Sequence, residues 1–254
     1  MTPPNSIALL FLHALPLDGT MWRHQQNLFS TPAYAPTLYG TGERLEEWAQ
    51  AALELVEEDR LILVGCSVGG SCALEIAALC PDRVEAIILI GTKAARTPNP
   101  AFLDSALSLI ETQGLEAAWE TYWQPLFSQR APPSALSTAK DIFRRRTIAE
   151  LARGTRVFHT RPSRETVLQS FPRRVVVISG ADDIAPGLAT SEEQANAASQ
   201  GMFLVIPDCG HYAPLEAPHQ VNDILRQVIL PILRSDRYSL KSSHLDRQAP
   251  ANLS

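Results

Sequence analysis

The segment 61–79 runs from an apolar stretch through Gly-Cys-Ser-Val-Gly into a second apolar stretch. This pattern predicts a buried strand, a sharp turn and a helix, and the turn forces Ser67 into a strained backbone conformation. Small residues are then needed two positions on either side, and glycine occupies both positions, Gly65 and Gly69. We therefore expect the Ser67 hydroxyl at the C-terminal edge of a sheet, with the Val68 N–H at the start of the helix available to a developing oxyanion.

The overall composition excludes several classes of protein. The chain has 254 residues, of which 45% are hydrophobic and 19% are charged, which suits one large α/β domain with a full core. Its net charge of −5 provides no general attraction to nucleic acids or to anionic membranes. Because no apolar run approaches the roughly 20 residues of a membrane span, we expect a cytoplasmic protein. The partner that we expect is a small-molecule substrate. Composition does not predict the oligomeric state.

Apolar runs along the chain predict the fold class. They indicate six strands, at 7–13, 34–38, 61–65, 85–91, 174–180 and 203–207. Most of these runs are continuous rather than alternating, which is typical of parallel strands buried on both faces. Helical patterns lie between or after them, at 44–58, 69–80, 190–199 and 215–233. The alternation predicts an α/β fold with a doubly wound, mostly parallel sheet.

The alternation fails in one long segment, which contains only helical patterns, at 102–113, 115–127 and 134–153. Proline-containing sequences typical of hinges stand at both of its edges, Thr97-Pro98-Asn99-Pro100 and Phe171-Pro172. We predict a helical lid at 97–171, inserted before the strand at 174–180 into a core formed by 1–96 and 172–233. The polar, aperiodic segment 234–254 is predicted to be a disordered tail.

A serine nucleophile needs a base, and the base needs an orienting carboxylate. The loop after the strand at 174–180 contains Asp182 and Asp183, and Gly210-His211 follows the last strand. Because the C-terminal ends of parallel strands meet at one edge of a sheet, His211 and one of the two aspartates are expected beside Ser67.

Together these motifs resemble the α/β-hydrolase superfamily, over roughly residues 6–233. The resemblance is to its small, lid-bearing branch of esterases, lactonases, C–C hydrolases and haloperoxidases, and it implies oxyanion-binding amides at Leu15 and Val68. The usual glycine after the first strand is replaced by Ala14. For the acid, the family pattern Gly-x-x-Asp selects Asp183, whereas the usual spacing to the following proline selects Asp182. We predict Asp183 and keep Asp182 as the alternative.

The resemblance and the residues together predict a serine hydrolase that cleaves an ester through an acyl-enzyme, with no metal or organic cofactor. A second hypothesis keeps the same triad but changes the reaction to hydrolysis of a C–C bond or a lactone, or to perhydrolysis. A third is a weakly catalytic protein that binds a small ligand.

The helical lid is expected to shape the substrate pocket, with apolar walls provided by Trp119, Trp123, Phe127 and Phe143. The segment 140–174 carries ten basic residues and only three acidic ones, in a chain that is acidic overall. One interpretation is ion pairing between this basic surface and the acidic main domain. The other is that arginines enter the cleft and bind a substrate carboxylate, the candidates being Arg145, Arg156 and Arg161.

Overall fold

A computed structural model describes residues 6–245, and in this part of the chain six strands form one sheet. Every neighbouring pair is parallel, and the order is β2-β1-β3-β4-β5-β6. The strands are β1 Ile7–Leu12, β2 Ala33–Tyr34, β3 Arg60–Cys66, β4 Val84–Ile90, β5 Arg174–Gly180 and β6 Gln200–Ile206. The predicted doubly wound parallel sheet is confirmed.

Two strands differ by more than one residue from their predicted bounds, and both lie at the sheet edges. β2 stops at Tyr34 instead of reaching residue 38, because Pro36 has no N–H to donate to a neighbouring strand. β6 begins at Gln200, three residues before the predicted start, because it pairs with β5 residue by residue from Arg174 and Gln200 onward.

Helices cover the sheet and fill the space above its C-terminal edge. Those of the main domain are α1 Leu45–Glu54, α2 Val68–Leu79, α7 Leu188–Ala197, the single turn α8 Ala213–Glu216, and α9 Pro218–Leu245. Ten of the twelve residues of α2 are buried, so this helix packs at the centre of the molecule with Ser67 at its N-terminus. That position explains why the helix shows little amphipathic pattern in the sequence.

The segment between β4 and β5 contains four helices, here called the helical insertion. They are α3 Pro100–Ala118, α4 Pro133–Phe143, α5 Ile148–Thr160 and α6 Glu165–Ser170. Gly114, at φ 84°, interrupts α3 where the sequence predicted a break, and a π-helical turn follows at Trp119–Trp123. The single helix predicted at 134–153 is wrong: the chain turns after Phe143, and Thr147 caps a new helix through a reciprocal hydrogen-bond pair with Glu150.

The C-terminal part also departs from prediction. The helix predicted at 215–233 is divided at Ala217, and α9 begins at Pro218, a favourable first helical residue. α9 then continues to Leu245, so the predicted disordered tail from 234 onward is wrong for residues 234–245. No glycine or proline lies in that stretch to end a helix that has already formed. The rest of the predicted tail, 246–254, lies outside the described residues.

Within residues 6–245, the structure contains no helix with the length and hydropathy required to cross a membrane.

Candidate active site

Ser67 occupies a strained turn between β3 and α2, with φ 55° and ψ −118°. The turn is possible because two glycines let the backbone segments approach closely. A Cβ on Gly65 would lie 2.4 Å from backbone atoms of Gly69, and a Cβ on Gly69 would lie 2.1 Å from the carbonyl oxygen of Leu12. Tight packing therefore requires both glycines of the motif, and the resulting turn places Ser67 in the wall of a cavity.

His211 lines the same cavity and pairs with a buried carboxylate. Its Nδ1 lies 3.1 Å from both Oδ1 and Oδ2 of Asp183. Asp183 is held in turn by the Ala185 N–H, which donates to Oδ1 at 2.8 Å. Because Nδ1 faces the aspartate, Nε2 is the ring nitrogen available to Ser67.

Asp182 turns away from His211. Its Oδ2 accepts a hydrogen bond of 2.5 Å from the Ser128 hydroxyl, and its N–H donates to the carbonyl oxygen of Cys209. Asp182 thus ties the helical insertion to the loops of the main domain, whereas Asp183 holds the histidine. Of the two aspartates, Asp183 is therefore the partner of His211.

Both predicted oxyanion donors lie near Ser67, one in the same cavity wall and the other next to it in the chain. Leu15 lines the cavity, and Val68 is the first residue of α2, where N–H groups lack partners within the helix. In the described residues, neither N–H donates to another protein group. Ser67 and Asp208 are the non-glycine residues with positive φ in this part of the chain, so Ala14 replaces the usual glycine without backbone strain.

His13 serves the loop that carries Leu15 and lies away from the cavity. The ring is fully buried; Nε2 accepts the Leu38 N–H at 3.0 Å, and Nδ1 lies 3.1 Å from the Ala14 carbonyl oxygen. Burial of the imidazole lowers the pKa of His13 to about 4. The neutral ring therefore donates from Nδ1 and accepts at Nε2, which links two loops at the edge of the sheet.

This buried histidine predicts a pH dependence of stability. Between pH 6.5 and pH 4 the unfolded chain binds a proton at His13 that the folded protein does not, so stability falls as the pH falls. We expect the free energy of unfolding to drop by about 2 kcal/mol more in the wild type than in His13→Gln between pH 7 and pH 4.5. Urea unfolding at several pH values measures this difference. If the free energy of unfolding changes with pH equally in the two proteins, His13 is not the buried neutral group described above.

Two residues support the site without having been predicted to do so. Glu216 is buried and accepts three backbone N–H groups, those of Ser128, Gly210 and Tyr212, each at 2.9 Å; burial nevertheless raises its pKa. Gly91, at φ 55°, leaves room for the paired side chains of His211 and Asp183, since a Cβ there would lie 2.8 Å from Nδ1 of His211. In the sequence, only the Glu-x-Pro motif at 216–218 pointed to Glu216 as a supporting residue, and no feature pointed to Gly91.

The cavity has a volume of about 460 Å³, enough for a small organic substrate. Of the four predicted aromatic residues, Trp123 lines it. The other three are buried outside the cavity wall, where the ring of Trp119 packs against those of Phe127 and Phe143 at centroid distances of 6.1 and 5.0 Å. Tyr122, in the π-helical turn at Trp119–Trp123, also lines the cavity, and Phe102 of α3 and Phe158 of α5 complete the aromatic wall.

Of the three predicted arginines, Arg161 alone lines the cavity in the described structure. Arg145 instead donates to the Thr20 hydroxyl and lies 3.8 Å from Asp18, and Arg156 lies 3.9 Å from Glu43. Both are attracted to acidic side chains of the main domain, so their prediction as cleft residues is wrong.

Comparisons with known proteins agree with this architecture. A model of the alpha/beta hydrolase family matches residues 9–224. The 2-hydroxymuconate semialdehyde hydrolase of Pseudomonas sp. strain CF600 is 26% identical over 193 residues, which cover 66% of this chain and 61% of that enzyme. A pimeloyl-[acyl-carrier protein] methyl ester esterase of Aromatoleum aromaticum is 25% identical over 221 residues, covering 78% and 82% of the two chains.

Among solved structures, a thermophilic esterase from Thermogutta terrifontis, determined with malate bound, superposes with a TM-score of 0.80. It is 26% identical in sequence, and the match covers 92% of each chain.

Proposed function

The chain belongs to the alpha/beta hydrolase family, and from this premise we propose that it is a serine hydrolase that cleaves an ester through an acyl-enzyme. One observation carries the proposal: Ser67, held at φ 55° on its turn, shares a cavity with His211, whose Nδ1 is paired with the buried Asp183. A protein that only bound a ligand would have no physical need for this combination.

In the proposed acylation step, Ser67 attacks the ester carbonyl while Nε2 of His211 takes its proton. Asp183 holds the imidazole in the tautomer with the proton on Nδ1 and stabilises the imidazolium that forms. The N–H groups of Leu15 and Val68 donate to the oxyanion of the tetrahedral intermediate. His211 then passes its proton to the leaving alcohol.

In the proposed deacylation step, His211 removes a proton from water, which attacks the acyl carbon; the bond to Ser67 then breaks, the acid is released, and His211 returns the proton to the Ser67 oxygen. The loop carrying Leu15 is supported for this purpose by the Tyr212 hydroxyl, which donates to the Leu15 carbonyl oxygen at 3.0 Å. This contact joins the loops that carry the oxyanion donor and the base. Both chemical steps would therefore use one rigid arrangement.

We further propose that residues 97–171 act as a lid over a core of residues 1–96 and 172–233. Side chains of α3, α5 and the π-helical turn form much of the cavity wall, so the insertion would determine which substrates fit. The insertion is joined to the main domain by Ser128, whose hydroxyl donates to Asp182 in the loop after β5 and whose N–H donates to Glu216 at the end of α8. The contacts of Ser128 would thus hold in place both the insertion, which selects the substrate, and the loops that carry Asp183 and His211.

Hydrolysis of a C–C bond is a second candidate, favoured by the similarity to the 2-hydroxymuconate semialdehyde hydrolase. The same residues would then act on a carbonyl whose leaving group is a carbon atom. Comparing turnover of 4-nitrophenyl esters with turnover of a ring-fission diketone separates the two reactions. Substantial turnover of the diketone alone would replace the ester proposal by this one.

A fluorophosphonate probe tests the proposed nucleophile directly. We expect stoichiometric labelling of the native protein, with the added mass located on the peptide that contains Ser67, and loss of esterase activity in proportion to labelling. Acid-denatured protein is the control, because an unactivated serine does not react. Labelling at another serine, or activity that survives complete labelling, would contradict the proposal.

A further inference from the structure

Arg161 is a buried cation that has no acidic partner in the part of the chain that the structure describes. Its residue is 6% exposed, it follows the C-terminus of α5, and it lines the cavity that contains Ser67 and His211. In the described residues, no carboxylate lies within ion-pair distance of its guanidinium. Burying an unpaired charge costs several kcal/mol, so the surroundings of Arg161 require an explanation.

Most other basic residues of the segment 140–174 form ion pairs with acidic side chains, unlike Arg161. Arg146 is 3.2 Å from Asp18, Arg153 is 2.6 Å from Glu43, and Arg164 forms two hydrogen bonds with Glu75. The Lys140 and Arg144 side chains both pair with Glu116. Most of the local positive charge is therefore neutralised at the surface or at contacts with the main domain, as one interpretation of the sequence predicted.

The contacts of Arg161 hold the side chain but leave its charge uncompensated. One Nη donates to the Phe158 carbonyl oxygen, and the guanidinium lies 4.0 Å from the centre of the Phe158 ring. Nε is buried without a hydrogen-bond partner. Burial and the nearby Arg96 lower the pKa of Arg161 to about 10, so the group still carries its positive charge at neutral pH.

The rest of the cavity wall, like Arg161, is suited to an anionic ligand. The Thr155 hydroxyl, on α5, is buried without a hydrogen-bond partner and also lines the cavity. Lys93 lines it as well, with an exposed side chain, and His159 supplies a ring whose pKa is lowered to about 4 by burial, Arg161 and Arg96. Within residues 6–245, no aspartate or glutamate belongs to this wall.

We propose that this cavity recognises substrates that carry a free carboxylate, with Arg161 as the principal binding residue. The carboxylate would accept hydrogen bonds from the guanidinium and from the Thr155 hydroxyl, and Lys93 would add attraction from the exposed part of the wall. The apolar walls formed by Phe102, Tyr122 and Trp123 would hold the chain that joins the carboxylate to the reacting carbonyl. This inference rests on the proposed hydrolase and names its substrate class.

Matched ester series test the preference. The charged series is the mono-4-nitrophenyl esters of adipate, pimelate and suberate, and the uncharged series is the 4-nitrophenyl esters of monocarboxylic acids of equal length. At the best length we expect the wild type to show a kcat/KM at least about tenfold higher for the charged ester, and raising the salt concentration should reduce this ratio. Equal values in both series, at low and high salt, would overturn the inference.

Variants assign the effect to Arg161. Arg161→Gln should lower kcat/KM for the charged esters about 10- to 100-fold and change it less than about threefold for the uncharged ones, and Arg161→Lys should restore part of the loss. Arg156→Gln is the matched control, because Arg156 lies on α5 but outside the cavity wall. Equal losses in both series for Arg161→Gln, without rescue by lysine, would show a merely structural role.

A binding experiment separates failure of this inference from failure of the proposed function. Calorimetry with monomethyl adipate and the inactive Ser67→Ala protein should show binding that a second change, Arg161→Gln, weakens about tenfold or more. This result does not depend on turnover. If Arg161→Gln does not fold, as judged by its thermal midpoint, Lys93→Gln replaces it: we expect about a threefold loss confined to the charged esters, and no loss would overturn the inference.

Discussion

Replacing Ser67 with alanine should lower kcat for 4-nitrophenyl acetate by about 10⁴-fold or more while leaving the fold intact. The substitution removes the attacking oxygen and nothing else, and alanine meets the same backbone cost as serine at φ 55°. The N–H of residue 67 still donates to the Ile90 carbonyl oxygen at 2.8 Å, so the turn keeps its main contact. Initial rates and a thermal unfolding midpoint measure the two expectations.

Ser71, one turn further along α2, provides the control for this experiment. Ser71 is buried, its hydroxyl has no hydrogen-bond partner within the described residues, and the residue does not line the cavity. Ser71→Ala should therefore retain normal turnover. A Ser67→Ala protein that is as active as Ser71→Ala would end the serine hydrolase proposal, whatever the outcome of the carboxylate binding experiment.

Asp183→Asn should lower kcat by about 10⁴-fold, with little change in stability. The Nδ1 of His211 lies 3.1 Å from both carboxylate oxygens of Asp183. An amide in that position can present its NH₂ group to the ring, which favours the wrong tautomer, and it cannot stabilise the imidazolium. The loss should appear in kcat on all esters, because it affects the base rather than the binding of one substrate class.

The adjacent residue supplies the matched control, since Asp182 contacts Ser128 and not His211. Asp182→Asn should lower kcat by less than about tenfold, through a looser contact between the helical insertion and the main domain. Steady-state kinetics on one ester ranks the two variants. If Asp182→Asn proves the more damaging, the acid was assigned one residue too late and the observed pairing is not the catalytic one.

Much of the site could be predicted because its residues follow strand ends. Each apolar run marks a strand, the strands are parallel, and their C-terminal ends therefore meet at one edge, which brings Ser67, Asp183 and His211 into neighbouring loops. The choice between Asp182 and Asp183 could not be derived in the same way. Adjacent loop residues point in different directions, and only the folded loop shows that one faces His211 and the other Ser128.

The sequence alone determined the sheet, the turn at Ser67 and the place of His211 beside it, because these depend on local features: apolar runs, glycine spacing and the order of loops. Tertiary packing decided the walls of the cavity. In the π-helical turn, Tyr122 and Trp123 line the cavity, whereas Trp119 is buried outside its wall. Likewise, arginines with acidic neighbours pair outside the cavity, whereas Arg161 has none within reach in residues 6–245 and its charge stays in the wall. The reason is that an ion pair depends on which surfaces meet after folding.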